Sequence, residues 1–425
     1  MDRFVGLLGL VIMIAIAYGL SKSRKDISWR LVGWGFGLQF VFALLILKTS
    51  PGKWVFEKCN DGILGVLGCA ESGARFVFGN LVAQYVPVGT MENPGQFVET
   101  PGLFVDNGMA FFAFSVLPTI IFFSALITVL YHYGIMQKLV LFIAKIMAKT
   151  MKTSGSESLS AAANIFVGQT EAPLVVKPYI GKMTFSELCA IMTCGFATIA
   201  GGVMAAYVGL LKDAIPGIAG HIMAASIMSA PAGLVFAKLF TPETEESMTS
   251  GEVKLKVEKI DKNGIDAASR GATDGLRLAL NVGAMLIAFI GLVTLINSLL
   301  GLFWEDLSLA WIFGKALAPL AWVMGVPWSD CAKFGDLLGT KVMINEFVAF
   351  LKLQAYAVSF SPKAQVIGAY ALCGFANLSS IGIQIGGISG IAPERRSDLA
   401  KLSIRAMTAG AFASWSTACI AGMLM

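Results

Sequence analysis

The sequence is poor in charge. Only 14% of its 425 residues are Asp, Glu, Lys or Arg, where a soluble domain carries about 25%. Histidine is almost absent: His132 and His221 stand alone, so neither a His-based triad nor a His-rich metal site can be assembled. The seven cysteines show no metal-ligand spacing. Four of them, Cys189, Cys194, Cys373 and Cys419, lie inside apolar runs and read as small buried hydrophobes rather than disulfide partners. No basic stretch is interleaved with aromatics, which argues against a nucleic-acid partner. What remains is apolar, with a hydrophobic fraction of 56% and a mean hydropathy of +0.73. Such a chain belongs in a lipid bilayer, and several uncharged runs reach the roughly 20 helical residues that a hydrocarbon core requires. An all-α polytopic membrane protein is the expectation. The apolar run at 4–20 has no small-residue cleavage site behind it and reads as a retained helix, not a removed signal peptide.

Basic residues orient the spans. Lys22, Arg24, Lys25 and Arg30 follow the first span, and a second covers 31–47; their loop is cytoplasmic and the N-terminus external. Residues 50–106 are mixed, and 62–82 is amphipathic, suited to a helix along the membrane surface. A third span at about 108–130 leads to Lys138, Lys145, Lys149 and Lys152, again cytoplasmic. Further spans are read at 188–211, 219–236, 278–303, 366–391 and 406–425. The hydrophilic 241–277 is a cytoplasmic loop, while Trp311, Trp322 and Trp328 mark 304–330 as an external interfacial helix. This gives about eight crossings.

Two further segments are apolar yet too short to cross. The first carries Gly168-Gln169-Thr170-Glu171-Ala172-Pro173 at its centre, between Ala161–Val167 and Leu174-Val175-Val176. A carboxylate at that depth costs several kcal/mol unless it faces a partner or a wet cavity, which makes Glu171 a site candidate; an interhelical polar staple is the alternative. From Ser154 to the tip is about fifteen residues at about 1.5 Å each, so either arm reaches only part way through the bilayer. Lysines at both ends indicate entry and exit on the cytoplasmic face. That is a re-entrant hairpin, tolerated where its non-helical tip is buried in protein or lines a cavity. Residues 333–360 repeat the logic around Asn345-Glu346, entering from outside.

An internal repeat connects the two. Cys194-Gly195-Phe196-Ala197 recurs as Cys373-Gly374-Phe375-Ala376, each roughly 25 residues beyond its hairpin glutamate, with Thr198 matching Asn377. Both copies fall in spans interrupted by Gly and polar residues, where a helix can break. One unit starts inside and the other outside, which is the inverted-repeat layout of secondary transporters with a site at mid-membrane.

At these residues the sequence strongly resembles the concentrative nucleoside transporter family. The matching pieces are Gly168–Pro173, Asn345-Glu346-Phe347-Val348-Ala349 and the run from Gly374 to Ile381, in order, and the likeness covers essentially the whole chain. The resemblance implies a homotrimer in a bacterial inner membrane, working as an elevator-type sodium/nucleoside symporter and not an enzyme. It divides the chain into scaffold (1–56), an interfacial region (57–106), a scaffold helix (107–136) and a first transport repeat (137–240). A cytoplasmic loop with a scaffold helix (241–303), an external interfacial helix (304–330) and a second transport repeat (331–425) follow. Residue by residue, Gln169 and Thr170, flanked by Gly168, would contact the nucleobase, with Glu171 joining through hydrogen bonds or water. Glu346, Asn377 and Ser380 would hold ribose hydroxyls, while Val203 and Phe375 pack around the ligand. Asn164, Thr198 and the carbonyls of Val167 and Ile199 would cage one sodium ion.

The chemistry of these residues agrees independently. A nucleoside such as uridine is neutral and wants acceptors for sugar hydroxyls and a donor–acceptor pair for the base, which these residue types supply. No arginine lies in either motif, so phosphorylated nucleotides should be poor ligands. A proton-coupled symporter would carry much the same residues. An intramembrane enzyme would need a nucleophile or metal that nothing supplies, and a channel sits badly with two hairpins closing one site from opposite faces. Lys177 and Lys341 are expected to snorkel to the interface.

Overall fold

The computed structural model describes residues 2–83, 85–93, 96–106, 112–249 and 261–425. The apolar runs form helices. α1 (Asp2–Gly19) and α2 (Trp29–Lys48) flank the basic loop. α3 (Ser50–Phe78) starts well before the amphipathic stretch read from sequence. The Thr49 hydroxyl caps it by accepting from the Gly52 amide, and a proline, whose fixed φ suits a first turn, sits there. Two antiparallel strands follow, β1 (Tyr85–Asn93) and β2 (Gln96–Asp106), a small addition to an otherwise helical architecture. The start of the third span falls partly outside the described residues; α4 (Leu117–His132) is its body. α5 (Ile135–Met151) buries Met136, Val140, Ala144 and Met147 and turns its lysines out, an amphipathic helix where the sequence reading placed only a basic stretch.

The first repeat contains α6 (Gly155–Ala163), α7 (Lys177–Ile180), α8 (Phe185–Ala197), α9 (Gly201–Leu211) and α10 (Ile218–Phe240). Next, α11 (Gly264–Gly301) begins earlier than the span read at 278–303, because the Asn263 side chain caps it through the Ile265 and Asp266 amides. α12 (Leu309–Val323) is the tryptophan-bearing helix. The second repeat contains α13 (Cys331–Met343), α14 (Glu346–Ala357), α15 (Pro362–Leu372), α16 (Leu378–Ile391) and α17 (Arg396–Leu424).

Among the described residues six stretches are long and apolar enough to cross a bilayer unaided. With the shorter α1 and the broken α15–α16 pair they make the eight crossings read from sequence. Hydrogen bonds bring several of the basic ends together. The Lys22 amide and the Arg405 guanidinium both donate to the Phe240 carbonyl, and Arg395 donates to the carbonyls of Ile180, Gly181 and Met183. These ends, which the basic residues and the hydrophilic loop place on one side, therefore share one face of the molecule.

The core lies in the repeats. α10 and α17 pack on each other and receive α8 and α15. The spans Phe185–Leu211, Ile218–Phe240 and Pro393–Leu424 are 83–89% buried, whereas α2, the α4 span and α11 are 11–28% buried and turn apolar faces outward, as lipid-facing helices do. The cytoplasmic base of the first repeat is stapled by capping boxes at Ser154/Glu157 and Thr184/Glu187. Buried Lys238 joins them, pairing with Glu157 and Glu243 and donating to the Ser186 hydroxyl. A buried cation needs such partners on every side.

Candidate substrate site

Both hairpins end in unwound chain. In the first, α6 stops at Ala163 and the backbone from Asn164 to Glu171 runs in turns before a 3₁₀ helix over Ala172–Val176. At nine residues α6 extends about 14 Å, half a hydrocarbon core. In the second, Asn345 separates α13 from α14 and caps the latter by accepting from the Val348 amide. The two broken spans supply the floor. α8 breaks into α9 across Thr198–Ala200, and α15 into α16 across Cys373–Asn377. Of the glycines and polar residues read as interruptions in the second broken span, only those at 373–377 break it; Gly382, Gly386 and Gly387 sit within α16.

The two breaks touch. A Cβ on Gly374 would lie 2.8 Å from the carbonyl oxygens of both Phe196 and Ala197, and its φ of +130° is one that L side chains rarely adopt, so only glycine fits. The first tip docks on the first break, where the Gly201 amide donates to the Phe166 carbonyl at 3.0 Å.

Side chains then cross between repeats. Glu346, 6% exposed, accepts from the Tyr207 hydroxyl on one oxygen and the Asn377 side-chain amide on the other, each at 2.8 Å. Asn377 also caps α16: its carbonyl accepts from the Ser380 amide (2.8 Å) and the Ser379 hydroxyl (2.7 Å). Gln169 donates to the Ser380 hydroxyl at 3.1 Å and accepts from the Gln384 amide at 2.9 Å. Elements separated by some two hundred positions are thereby locked into one polar cluster.

Gln169, Glu346, Asn377 and Ser380 face a cavity of about 1770 Å³. Gly168, Gln169, Thr170, Glu171, Val203, Glu346, Phe375, Asn377 and Ser380, the substrate residues implied by the resemblance, all line it, and both acids face the same space. Glu171 differs from Glu346: it is exposed, and its hydrogen-bond partner is the neighbouring Thr170 hydroxyl at 3.0 Å. The cavity continues past Tyr131 and His132 to Lys177 and Arg270, so it opens on the face assigned to the cytoplasm. At that mouth Arg270 grips Asp261 through two bonds of 2.6 and 2.8 Å, which holds the Asp261 carboxyl below the usual carboxylate range.

Of the residues assigned to sodium, one lines the cavity and three are buried. Asn164 and Thr198 are fully buried. Thr198 donates to the Cys194 carbonyl and Asn164 to the Ser160 carbonyl, each within its own helical turn. The Asn164 side-chain oxygen is left with no hydrogen-bond partner among the described residues. Val167 and Ile199 belong to the unwound segments, Val167 lining the cavity and Ile199 buried. A buried amide oxygen without a donor, beside unwound backbone, fits a hard cation.

Sequence reasoning missed two residues and misplaced a third. Tyr207 sits in an apolar run with nothing to distinguish it. Gln384 was legible in principle, one helical turn beyond Ser380 on the same face. Lys341 corrects an expectation: it does not snorkel but is fully buried, donating to the Ala371 carbonyl at 2.8 Å. The last carbonyls of α15 lack intrahelical partners and carry the negative end of its dipole, so an ammonium is held there instead.

Comparison with known proteins gives a consistent picture. A family profile described as the Na+ dependent nucleoside transporter C-terminus matches residues 221–422, its N-terminal counterpart matches 8–81, and one described as Gate, nucleoside recognition, matches 113–214. An uncharacterized transporter of Haemophilus influenzae is 45% identical over 436 residues, covering 100% of this chain and 98% of that protein. The sodium/nucleoside cotransporter 1 of Mus musculus is 39% identical; this chain spans 64% of that protein's length. The solved structure of CNTnw in an inward-facing, substrate-bound state is 43% identical, covers 100% of this chain and 98% of its own, and superposes with a TM-score of 0.90. An outward-facing CNTnw variant superposes with a TM-score of 0.88.

Proposed function

The chain belongs to the Na+-dependent, concentrative nucleoside transporter family, and on that premise we propose that it imports uridine-like nucleosides across a bacterial inner membrane by sodium symport. The observation that carries this reading is the cross-repeat cluster, in which two hairpin tips present hydrogen-bonding groups to one cavity. Glu346 retains lone pairs after binding Tyr207 and Asn377, enough to accept from two ribose hydroxyls. Gln169 and Thr170 face the base, with Val203 and Phe375 as apolar walls. Removing a hydroxyl from the sugar leaves those buried groups unpaired, which is the source of selectivity.

Sodium is carried as a co-substrate by the Asn164 oxygen, the Thr198 hydroxyl and the Val167 and Ile199 carbonyls. The unpartnered Asn164 oxygen supports that assignment. The mostly buried repeats move as one body against the sparsely buried helices in an elevator motion, consistent with CNTnw having been solved in inward-facing, intermediate and outward-facing states. The protomers assemble as a homotrimer, each with its own site.

The test is uptake of labelled uridine into proteoliposomes, with sodium replaced by choline at fixed pH. Sodium-dependent uptake that is stimulated by unlabelled uridine inside the vesicles is expected. Uptake indifferent to sodium but collapsed by a protonophore assigns proton coupling instead; absence of nucleoside uptake overturns the reading.

A further inference from the structure

We propose that Gln384, a residue behind the cavity wall, is a positioning residue that sets the hydrogen-bonding polarity of the base subsite by orienting the amide of Gln169. The inference rests on the transporter reading above and extends it.

The argument runs along a chain of obligate donors and acceptors. The Met192 carbonyl can only accept, and the Gln384 side chain meets it at 3.1 Å, so the atom facing it is the amide nitrogen. That same nitrogen lies 2.9 Å from the terminal amide of Gln169. Both Gln384 protons are then donated, and the Gln169 atom facing it has to be the oxygen. The Gln169 nitrogen consequently points the other way, to the Ser380 hydroxyl at 3.1 Å and to the cavity. One of its protons occupies a Ser380 lone pair; the second is free for a ligand. With its oxygen accepting from Gln169, Ser380 keeps its own proton to donate.

The result is a base subsite that offers donors, opposite a sugar subsite where Glu346 offers acceptors. The ligand class it recognises is a riboside whose base edge presents a carbonyl oxygen or an unprotonated ring nitrogen. Backbone shape enforces the arrangement. Gly195, in the first copy of the repeated tetrapeptide, leaves the space that both amides occupy: a Cβ there would lie 2.8 Å from the Gln384 nitrogen and 3.1 Å from the Gln169 Cβ. Gln384 itself is fully buried and its oxygen has no partner among the described residues. Its one set of bonds is the set that fixes Gln169.

Gln384→Met keeps the volume and removes the donor. In proteoliposomes, uptake of uridine is compared with uptake of the phenyl C-riboside, which has the same sugar but no acceptor on its ring. Wild type should favour uridine. Gln384→Met should raise the KM for uridine about tenfold, the scale of a lost hydrogen bond, while the KM for the phenyl riboside stays put and the preference shrinks by that factor. A residue that merely holds the fold would weaken both ligands together; that outcome, or no change in either, overturns the proposal. Gly195→Ala displaces the same amides from the other side and should shrink the preference likewise, which keeps the test open if Gln384→Met fails to insert. Wild-type protein that transports neither ligand refutes the transporter reading beneath it.

Discussion

The two hairpin tips carry the same kind of acid in different settings. Glu346 is buried and bound on both oxygens by residues from both repeats. Glu171 is exposed to the cavity and bound by its neighbour Thr170. Repetition of a motif therefore does not imply equal duty. The second tip holds its acid in fixed geometry at the centre of the protein, where each partner adds to the definition of a subsite. The first tip offers an exposed acid that solvent can satisfy.

Substitutions that remove that difference should have graded effects. The largest belongs to Glu346→Gln, which replaces an acceptor by a donor facing the Asn377 and Tyr207 donors; uridine uptake should fall by about a hundredfold or more with the protein still assembled, as size-exclusion profiles would show. Asn377→Asp comes next. It preserves the α16 cap but sets a carboxylate against Glu346, and uptake should drop by roughly thirtyfold because like charges in contact cost several kcal/mol. Tyr207→Phe leaves the ring stacked on Phe350 at 4.3 Å and deletes one bond to Glu346. A rise of about fivefold in KM with little change in thermal unfolding is expected. Glu171→Gln should be the mildest, about twofold to threefold in KM, since an exposed acid loses little on neutralisation. Equal losses at Glu171 and Glu346 would break the comparison.

Much of this was legible in the sequence because it follows local rules. The spans came from apolar runs. The hairpins came from acids placed where lipid would punish them, and the inverted repeat from one tetrapeptide. The substrate-site candidates converge because they sit at helix breaks, and breaks are written locally in Gly374, Asn377 and their neighbours. What was not legible depends on tertiary neighbours. Tyr207 looks like any apolar-run aromatic until Glu346 arrives from residues far along the chain. Lys341 resembles an interfacial lysine until the end of α15 is seen beside it. In α5 the lysines mask an amphipathic period, and β1 and β2 fall in a stretch of mixed composition.

The central claim is that tips entering from opposite faces meet at one ligand. Thr170 and Asn345 stand at those tips, and both line the cavity. Each can be replaced singly by cysteine in a background where Cys59 and Cys69 are serine, and thiol labelling followed as uridine is raised. Uridine should protect each cysteine, with a half-maximal concentration that follows that variant's own KM for uridine. Protection of one tip alone, in variants that both still transport uridine, would contradict a shared site.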